Sequence, residues 1–521
     1  MSADATSEGA KRGAFSSRKV FIFAAIGSAV GLGNIWRFPY VAYENGGGAF
    51  LIPYLVALFC AGLPFLYLDY ALGHRFRGSA PLSFARLSRP AEAVGWWQVG
   101  VCFMIATYYA AVIAWALRYT FFSVNEAWGD DPETFFMKDF LQTGDVTVDL
   151  TLVTGVLIPM AIVWLAVIVV MVVGVEKGIG LTSVVAIPVL VVAFLALVIR
   201  SLFLPGAIDG LEAFFTPDWS TLTHGGVWAA AFGQIFFSLS IGFGIMITYA
   251  SYVDRDTDMT GSGTVVGLAN SSFELLAGIG VFAALGFMAQ SQGVEVGEVV
   301  EGGVGLAFIT FPTIISEATG GALIGVLFFA SLVVAGITSL VSVLEVVVSA
   351  IRDKFDLSRG AAAAVVSIPA ALLSLAFFST ASGLYVLDIL DYFINQFGIL
   401  LVALVSMVVV AWSLRALPEL ADHMNRRGSI KLRLWWRLLV GGLVPIALAY
   451  LVFDSFRTVV ETPYGGYPTW MIAIFGWGAA AVVMVAGYVL APTPWRPGTS
   501  LDGPDETADE APVDHTEGVA R

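Results

Sequence analysis

Apolar residues form long uninterrupted runs along the chain, separated by short polar segments. Each run approaches the roughly 20 residues that a helix needs to cross a bilayer core. Because only helices and closed barrels satisfy their backbone hydrogen bonds in lipid, and no run alternates like a barrel strand, the pattern predicts an all-α integral membrane protein of about 12 transmembrane helices. The predicted spans are 19–42, 48–73, 97–124, 154–174, 179–202, 227–252, 263–289, 321–350, 361–380, 385–414, 434–454 and 469–491.

Composition supports this interpretation and excludes a soluble globular domain. The 521 residues are 58% hydrophobic and 13% charged, and the mean hydropathy is +0.84. Soluble domains carry about 25% charged residues. The first apolar run is too long for a signal peptide and contains Asn34 and Arg37, so we expect it to remain in the mature protein.

Lysine and arginine are distributed unequally between the two sides of the predicted bundle. Cytoplasmic loops carry the excess of these residues. With an even number of spans, both termini lie on the basic side, which predicts cytoplasmic termini in a multi-pass protein of the cell membrane. The opposite side has little beyond Arg118, Lys138, Arg200 and Arg457.

The segments outside the spans are small. The arm 1–18 and the acidic tail 492–521 lack apolar periodicity, so both are predicted to be mostly disordered. The tail contributes to the net charge of −14, which fits either a solvated tail or a salt-adapted host. Cys60 and Cys102 fall within predicted spans and indicate no disulfide framework.

Two glycine-rich stretches interrupt the apolar pattern at corresponding places. "GSAVGLGN" (27–34) lies in the first span and "LSIGFG" (239–244) in the sixth. Glycine clusters in membrane helices either pack closely against a neighbour or break the helix. Their separation by one five-helix block favours paired broken helices in an inverted repeat. The predicted organisation is a first repeat at 19–202, a second at 227–414 and two further helices at 434–491.

Four segments resemble signatures of the neurotransmitter:sodium symporter family, whose prokaryotic members include LeuT-like amino-acid transporters. They are "GSAVGLGNIWRFPYVAYENGGGAFLIPY" (27–54), "GQIFFSLSIGFG" (233–244), "NSSFELLAGIGVF" (270–282) and "AGITSLVSVLEVVV" (335–348). The resemblance implies a LeuT-type 5+5 inverted repeat with broken first and sixth helices. It also implies sodium-coupled import of an amino acid by rocking of spans one, two, six and seven.

The resemblance implies two co-transported Na⁺ ions and no organic cofactor. Sodium prefers uncharged or anionic oxygen ligands, whereas serine and threonine hydroxyls in membrane helices usually bond to their own backbone. The first implied sodium site comprises the side chains of Asn34, Ser238 and Asn270 with the carbonyl of Ala29. The second comprises the carbonyls of Gly27, Val30 and Ala335 with the hydroxyls of Thr338 and Ser339.

A mainly apolar pocket is implied for the substrate. Gly31 stands where monoamine transporters of the family carry an aspartate, which favours a neutral amino acid with a hydrophobic or aromatic side chain. Ordinary core packing is the alternative for these positions. The implied pocket residues are Ser28, Ala29, Gly31, Leu32, Gly33, Ile105, Tyr109, Phe237, Ser238, Ser240, Phe243, Ser339 and Val343.

Charged residues inside the spans are matched to gates by the resemblance. Arg37 and Asp391 correspond to the extracellular pair, and Arg12 and Asp353 to the intracellular pair. Structural salt bridges are the alternative for both pairs. Glu274 stands where chloride-dependent relatives have a neutral serine, which implies that its carboxylate substitutes for chloride. Counter-transport of a proton on this carboxylate is left open.

The sequence has one further departure from the family and one further match to it. Asp69 stands where many relatives have glutamate, so the charge is kept on a shorter side chain. Gly178 and Pro188 have the spacing with which the family unwinds the fifth span; a static kink is the alternative.

Other functional classes fit the sequence less well. An amino-acid sensor with a transporter-like fold would signal through its tails, which are short and carry no motif, and a sodium-leak channel would pass current without substrate. His74, His224, His423 and His515 are scattered and no nucleophile or phosphate-loop motif occurs, so an enzyme is not expected. The expected partners are a small amino acid and the lipid bilayer, with no nucleic acid.

Overall fold

A computed structural model describes residues 14–300 and 303–502. Within that part of the chain, ten unbroken helices are long and apolar enough to cross a membrane. The first and sixth spans are broken helices, Arg18–Ala29 with Leu32–Glu44 and Gly225–Ser238 with Ile245–Ala250, and they complete the predicted twelve. The other spans, numbered two to five and seven to twelve, are Gly48–Phe76, Arg89–Phe122, Thr154–Val173, Val175–Leu202, Met259–Gln292, Gly321–Phe355, Arg359–Phe378, Gly383–Ser413, Leu434–Gly466 and Thr469–Leu490.

Polar caps mark where several spans begin. The side chain of Ser17 accepts a hydrogen bond from the Val20 amide at 3.3 Å. Asp258 accepts from the Gly261 amide at 2.9 Å at the start of the seventh span. Such caps satisfy backbone amides that have no partner inside the helix, and they fix the first turn.

The position of each span in the bundle follows from where its apolar side chains point. The third and eighth spans pack along each other at the centre, where Ile113 of the third span and Ala335 of the eighth are fully buried. The fourth, fifth and twelfth spans instead expose Leu165, Val192 and Val482 at the periphery. Exposed apolar side chains on this scale fit a surface that faces lipid hydrocarbon.

An amphipathic helix that the apolar runs did not predict, Leu417–Arg427, follows the tenth span. Its buried face includes Leu420 and Met424. It carries His423, whose Nε2 lies 2.9 Å from Nδ1 of His74 on the second span, and His74 Nε2 lies 3.0 Å from the Asp254 carbonyl. Burial lowers the pKa of His423 to about 3, so this imidazole packs in its neutral form.

Two histidines far apart in sequence are therefore neighbours, but they do not form a metal centre. Among the described residues, no group of three or more histidine, cysteine or acidic side chains is arranged to hold a metal ion.

The terminal segments pack onto one end of the bundle as far as they are described. Residues 1–13 and 503–521 lie outside the described part of the chain, so the disorder predicted for them stays a prediction. Residues 492–502 differ from the predicted disorder, because Trp495 Nε1 donates to Glu92 at 2.9 Å and the Arg496 amide donates to the Lys354 carbonyl at 3.0 Å. Glu92 and Lys354 are fully buried and form an ion pair at 2.6 Å beneath this segment.

Candidate functional site

The break in the first span lies within the glycine-rich stretch that predicted it. Val30 and Gly31 are extended, with φ/ψ of −75°/96° and −127°/−166°. Helix formation resumes at Leu32, where the Asn34 side-chain oxygen accepts a 2.8 Å hydrogen bond from the Gly31 amide. The last carbonyls of the first half-helix consequently lack helical amide partners one turn ahead and can accept hydrogen bonds from other groups.

The break in the sixth span depends on left-handed backbone. Ser240, Gly242 and Gly244 have φ values of +52°, +85° and +90°. Glycine adopts this region without the steric penalty of a Cβ atom. The Ser240 hydroxyl donates to the Ser28 carbonyl at 3.0 Å, so the two breaks lie side by side.

Side chains from the second and third spans hold the unwound backbone of the sixth. The Asp69 carboxylate accepts from the Gly242 amide at 3.1 Å, and Gln98 Nε2 donates to the Gly242 carbonyl at 3.0 Å. Cys102 Sγ lies 3.1 Å from the Phe243 carbonyl as a donor. These groups replace the helical hydrogen bonds that the break removes, as buried backbone at membrane depth requires.

A cavity of about 420 Å³ lies against the two breaks. All thirteen residues that the resemblance implied for the substrate pocket line it. The cavity therefore gathers backbone and side chains from spans one, three, six and eight. It also continues past Asp391 towards Asp388 and Tyr467, which the sequence analysis did not include.

The residues of the first implied sodium site are brought together. Asn34 Nδ2 donates to the Asn270 side-chain oxygen at 2.8 Å, and Asn270 Nδ2 donates to the Ser238 hydroxyl at 3.1 Å. All three side chains are buried, and Ala29 lines the adjoining cavity. Amide, hydroxyl and carbonyl oxygens suit a hard cation, so the set fits sodium.

The second implied site joins the first span to the eighth. The Ser339 hydroxyl lies 3.3 Å from the carbonyls of both Gly27 and Ser28. The Thr338 hydroxyl donates to the Ala335 carbonyl at 2.9 Å, which is the backbone bond expected of a threonine in a membrane helix. Val30 follows directly at the end of the same half-helix. Ser339 therefore links the eighth span directly to the end of the first half-helix.

The predicted extracellular pair lies at the outer part of the cavity without direct contact. The Arg37 guanidinium carbon lies 4.5 Å from the centre of the Phe237 ring. Asp391 accepts from Asn395 Nδ2 at 2.9 Å and interacts electrostatically with Arg37. Within the described residues the two charges form no ion pair within 4.0 Å. The structure thus shows this gate pair separated.

The opposite end of the site is covered. Asp353 is buried, and its carboxylate accepts from the Ser79 amide at 2.9 Å, whereas its predicted partner Arg12 lies outside the described residues. The ring of Phe15 packs edge-on against Tyr249 and Tyr252, at centroid distances of 5.5 and 6.1 Å. Phe15, near the end of the arm 1–18, therefore packs against the last part of the sixth span.

Comparison with known proteins identifies the architecture. Residues 12–130 and 128–493 match the family described as SNF, the sodium:neurotransmitter symporter family. The chain belongs to this family. The symporter is therefore a multi-pass, sodium-dependent membrane transporter, and its family is one of transporters and not of enzymes.

Relatives of the symporter include archaeal and animal transporters. An uncharacterized sodium-dependent transporter of Methanocaldococcus jannaschii is 42% identical over 468 residues, which cover 89% of this chain and 94% of the relative. The sodium-dependent dopamine transporter of Bos taurus is 30% identical over 515 residues, or 92% of this chain and 74% of the relative. The crystal structure of MhsT in complex with L-phenylalanine matches 85% of this chain and 99% of its own, with a TM-score of 0.72 and 33% identity. The LeuT-type fold predicted from the sequence is confirmed.

Glu274 of the symporter lies beside the first oxygen cluster. It is fully buried four residues after Asn270 on the seventh span. The Tyr54 hydroxyl and Gln234 Nε2 both donate to its carboxylate, the latter at 2.7 Å. The carboxylate thus accepts hydrogen bonds from two side chains and lies on the same helix as Asn270.

The cavity includes residues that the sequence analysis missed. Asp388 lies one turn before Asp391, so the helical period of the tenth span could have revealed it. Met137 and Val304 lie outside the spans, where apolar periodicity gives no signal. The missed lining residues are Tyr108, Val112, Met137, Gly303, Val304, Leu384, Tyr385, Leu387, Asp388, Asn395, Ile399 and Tyr467.

Proposed function

We propose that the symporter imports a neutral amino acid with a hydrophobic or aromatic side chain, together with two Na⁺ ions. The observation that carries this proposal is the shared cavity at the two helix breaks, where the unwound backbone and Tyr109 meet an apolar lining. Helix ends and free amides suit the substrate carboxylate. The Tyr109 hydroxyl lies 3.5 Å from the Leu32 amide, at the place where a carboxylate would join them.

Gly31 supports an amino acid over a monoamine. It lines the cavity and offers no carboxylate for an isolated ammonium group, whose burial without a counter-charge is costly. An α-amino acid brings its own carboxylate, which also completes the first sodium cage. This shared ligand would couple the ion to the substrate. MhsT, a solved relative, was crystallised in complex with L-phenylalanine.

Two sodium ions would supply enough energy for steep accumulation. Each ion gains roughly 2.3 kcal/mol per 100 mV of membrane potential. A tenfold gradient adds about 1.4 kcal/mol per ion. Together the two ions provide about 7 kcal/mol, which corresponds to roughly 10⁵-fold accumulation of a neutral solute.

We further propose that transport is independent of chloride and proceeds by alternating access in the cell membrane, with both termini cytoplasmic. Glu274 supports the first point because a carboxyl group already lies beside the proposed cation ligands. The separated outer pair and the covered opposite end support a cycle in which the two ends open in turn.

The test is uptake of a mixture of labelled amino acids into proteoliposomes. An inward sodium gradient is compared with an equal potassium gradient, each in chloride and in gluconate. We expect accumulation that requires sodium and is equal in chloride and in gluconate. One amino acid with an apolar or aromatic side chain should be depleted from the mixture. Binding without accumulation would favour a sensor, and sodium current without substrate would favour a leak channel.

A further inference from the structure

Residues 462–468, which follow the last α-helical residue of the eleventh span, Glu461, and precede the twelfth span, are tied to the tenth span by a single carboxylate. The hydroxyls of Tyr464 and Tyr467 donate to the two oxygens of Asp388, at 3.1 and 2.9 Å respectively. Each carboxylate oxygen therefore has its own phenol donor. Hydrogen bonds to a charged acceptor are about twice as strong as neutral ones. We call these three residues the tyrosine clamp.

The loop that carries the clamp is shaped for this contact. Gly465 and Gly466 have φ values of +59° and +67°, which form a tight turn between the two tyrosines. The Tyr464 ring stacks on Tyr392 of the tenth span with ring centres 3.9 Å apart and planes 20° apart. Aromatic stacking adds about 0.5–1.5 kcal/mol beyond burial. The loop thus holds the tenth span by two hydrogen bonds and a stacked ring.

The clamp lies one helical turn from the gate carboxylate. Asp388 and Asp391 are three residues apart and line the same cavity, as does Tyr467. Neither carboxylate is paired with Arg37 in the described structure: the clamp holds Asp388, and Asn395 holds Asp391. Movement of Asp391 towards Arg37 would carry the same helical turn with it. Asp388 would then lose its hydrogen bonds to Tyr464 and Tyr467, which lie on the connection between the eleventh and twelfth spans.

We infer that Asp388 is a positioning residue for the outer gate: through Tyr464 and Tyr467 it holds the tenth span so that Asp391 stays apart from Arg37. The clamp therefore stabilises the separated arrangement of the gate. This inference rests on the proposed gate role of Arg37 and Asp391. A ligand or contact shifts a two-state equilibrium only by its difference in free energy between the states, and the clamp supplies such a difference.

The test measures how often the outer cavity is open. A cysteine is introduced at Val304, which lines the cavity in its outer part, and its reaction with a membrane-impermeant maleimide is followed in sodium and in potassium. The clamp is removed by Tyr464→Phe with Tyr467→Phe, which keeps both rings, and separately by Asp388→Asn. We expect labelling in sodium to slow about five- to tenfold, within the usual range of coupling between sites.

Two controls separate positioning from damage to the fold. Tyr488→Phe removes a phenol on the exposed side of the twelfth span and should leave the labelling rate unchanged. Asp388→Glu keeps the carboxylate and should restore most of the rate. In uptake, the clamp variants should lower KM and the maximal rate together, because a closed gate retains substrate and exchanges it slowly. General destabilisation would lower the maximal rate without lowering KM.

Two outcomes overturn the inference. Unchanged labelling in the double tyrosine variant would show that the clamp is only structural. Faster labelling would show that it holds the gate closed. If Asp388→Asn does not fold, the double tyrosine variant decides the matter alone. Labelling requires no transport, so failure of the proposed function in the wild-type protein leaves this result interpretable.

Discussion

At the scale of single residues, the polar groups within each proposed sodium site already form hydrogen bonds with one another. Asn34, Asn270 and Ser238 form a chain of hydrogen bonds, and Ser339 spans two carbonyls of the first helix. A sodium ion would replace these contacts with shorter ion–oxygen contacts and would not have to recruit distant groups. Preorganisation of this kind lowers the cost of binding.

Removing one donor should therefore affect sodium more than folding. We expect Asn34→Ala and Thr338→Ala each to raise the sodium concentration for half-maximal uptake at least about tenfold, or about 1.4 kcal/mol. The measurement is uptake against sodium concentration, with thermal unfolding of the same preparations. Thr120→Ala is the matched control, because its hydroxyl bonds only to the Ala116 carbonyl on its own helix. Unchanged sodium dependence in both variants would show that the cages are assigned wrongly.

Glu274 offers a second test at this scale. Because its carboxylate lies in a cradle of Tyr54 and Gln234, Glu274→Ser should leave a positive potential that a small anion can fill. We expect uptake by this variant to require chloride, while the wild type transports equally in chloride and gluconate. Glu274→Gln, which fills the space without charge, serves as the control. Equal activity of Glu274→Ser with and without chloride would rule out the anion substitution.

At the scale of elements, the two breaks were predictable from the sequence and their supports were not. The glycines in 27–34 and 239–244 predicted both interruptions because only flexible backbone tolerates them at membrane depth. Asp69, Gln98 and Cys102 come from other spans, and nothing in their local sequence shows that they would meet the sixth. The local sequence therefore predicts where a helix is interrupted. The side chains that bond to the interrupted backbone are determined by tertiary packing.

The same difference explains the other elements that were missed. The helix Leu417–Arg427 has apolar residues at a helical period, but it is too short and too polar for a search based on long apolar runs. The clamp residues Tyr464 and Tyr467 lie in a turn, where neither periodicity nor composition predicts a contact with the tenth span. The pocket residues were obtained because the family resemblance aligned them, and the cavity gathers all of them.

The left-handed backbone of the sixth span makes a sharp prediction. Gly242→Ala should destabilise the protein by about 1–2 kcal/mol and abolish most uptake, because a Cβ atom is strained at φ +85° and would lie 2.6 Å from the Ala403 Cβ. Gly233→Ala, in the regular helix before the break, meets nothing within 4 Å and should be neutral or slightly stabilising. Thermal unfolding and uptake of the two variants provide the measurement. Equal behaviour of the pair would contradict the role of the left-handed turn.

At the scale of the whole molecule, an ion pair fastens the covered end of the bundle. Glu92 on the third span and Lys354 on the eighth are both fully buried, and Trp495 covers the pair, with its ring 4.3 Å from the Lys354 ammonium. A buried ion pair is weak evidence for stability, because desolvation offsets the attraction. Loss of Glu92, however, leaves the buried Lys354 ammonium without a carboxylate, whereas Glu92 itself also contacts the partly exposed Arg89.

We expect Glu92→Gln to lower the free energy of unfolding by about 3 kcal/mol, because the buried Lys354 ammonium loses its carboxylate. Glu92→Gln combined with Lys354→Met should recover part of this loss, since neither charge then remains. Unfolding of the purified variants in detergent provides the comparison. Additive losses in the double variant would show that the two side chains act independently.

This buried pair also joins segments that are far apart in the order of synthesis. Glu92 is synthesised long before Lys354, and Trp495 is synthesised after both. The carboxylate, its buried cation and the side chain that covers them therefore emerge from the ribosome at different times. Arg89, three residues before Glu92 on the third span, can pair with the carboxylate until the eighth span brings Lys354 to it. The contact of Trp495 with Glu92 and Lys354 would then be the last of these contacts to form, after all twelve spans have been synthesised.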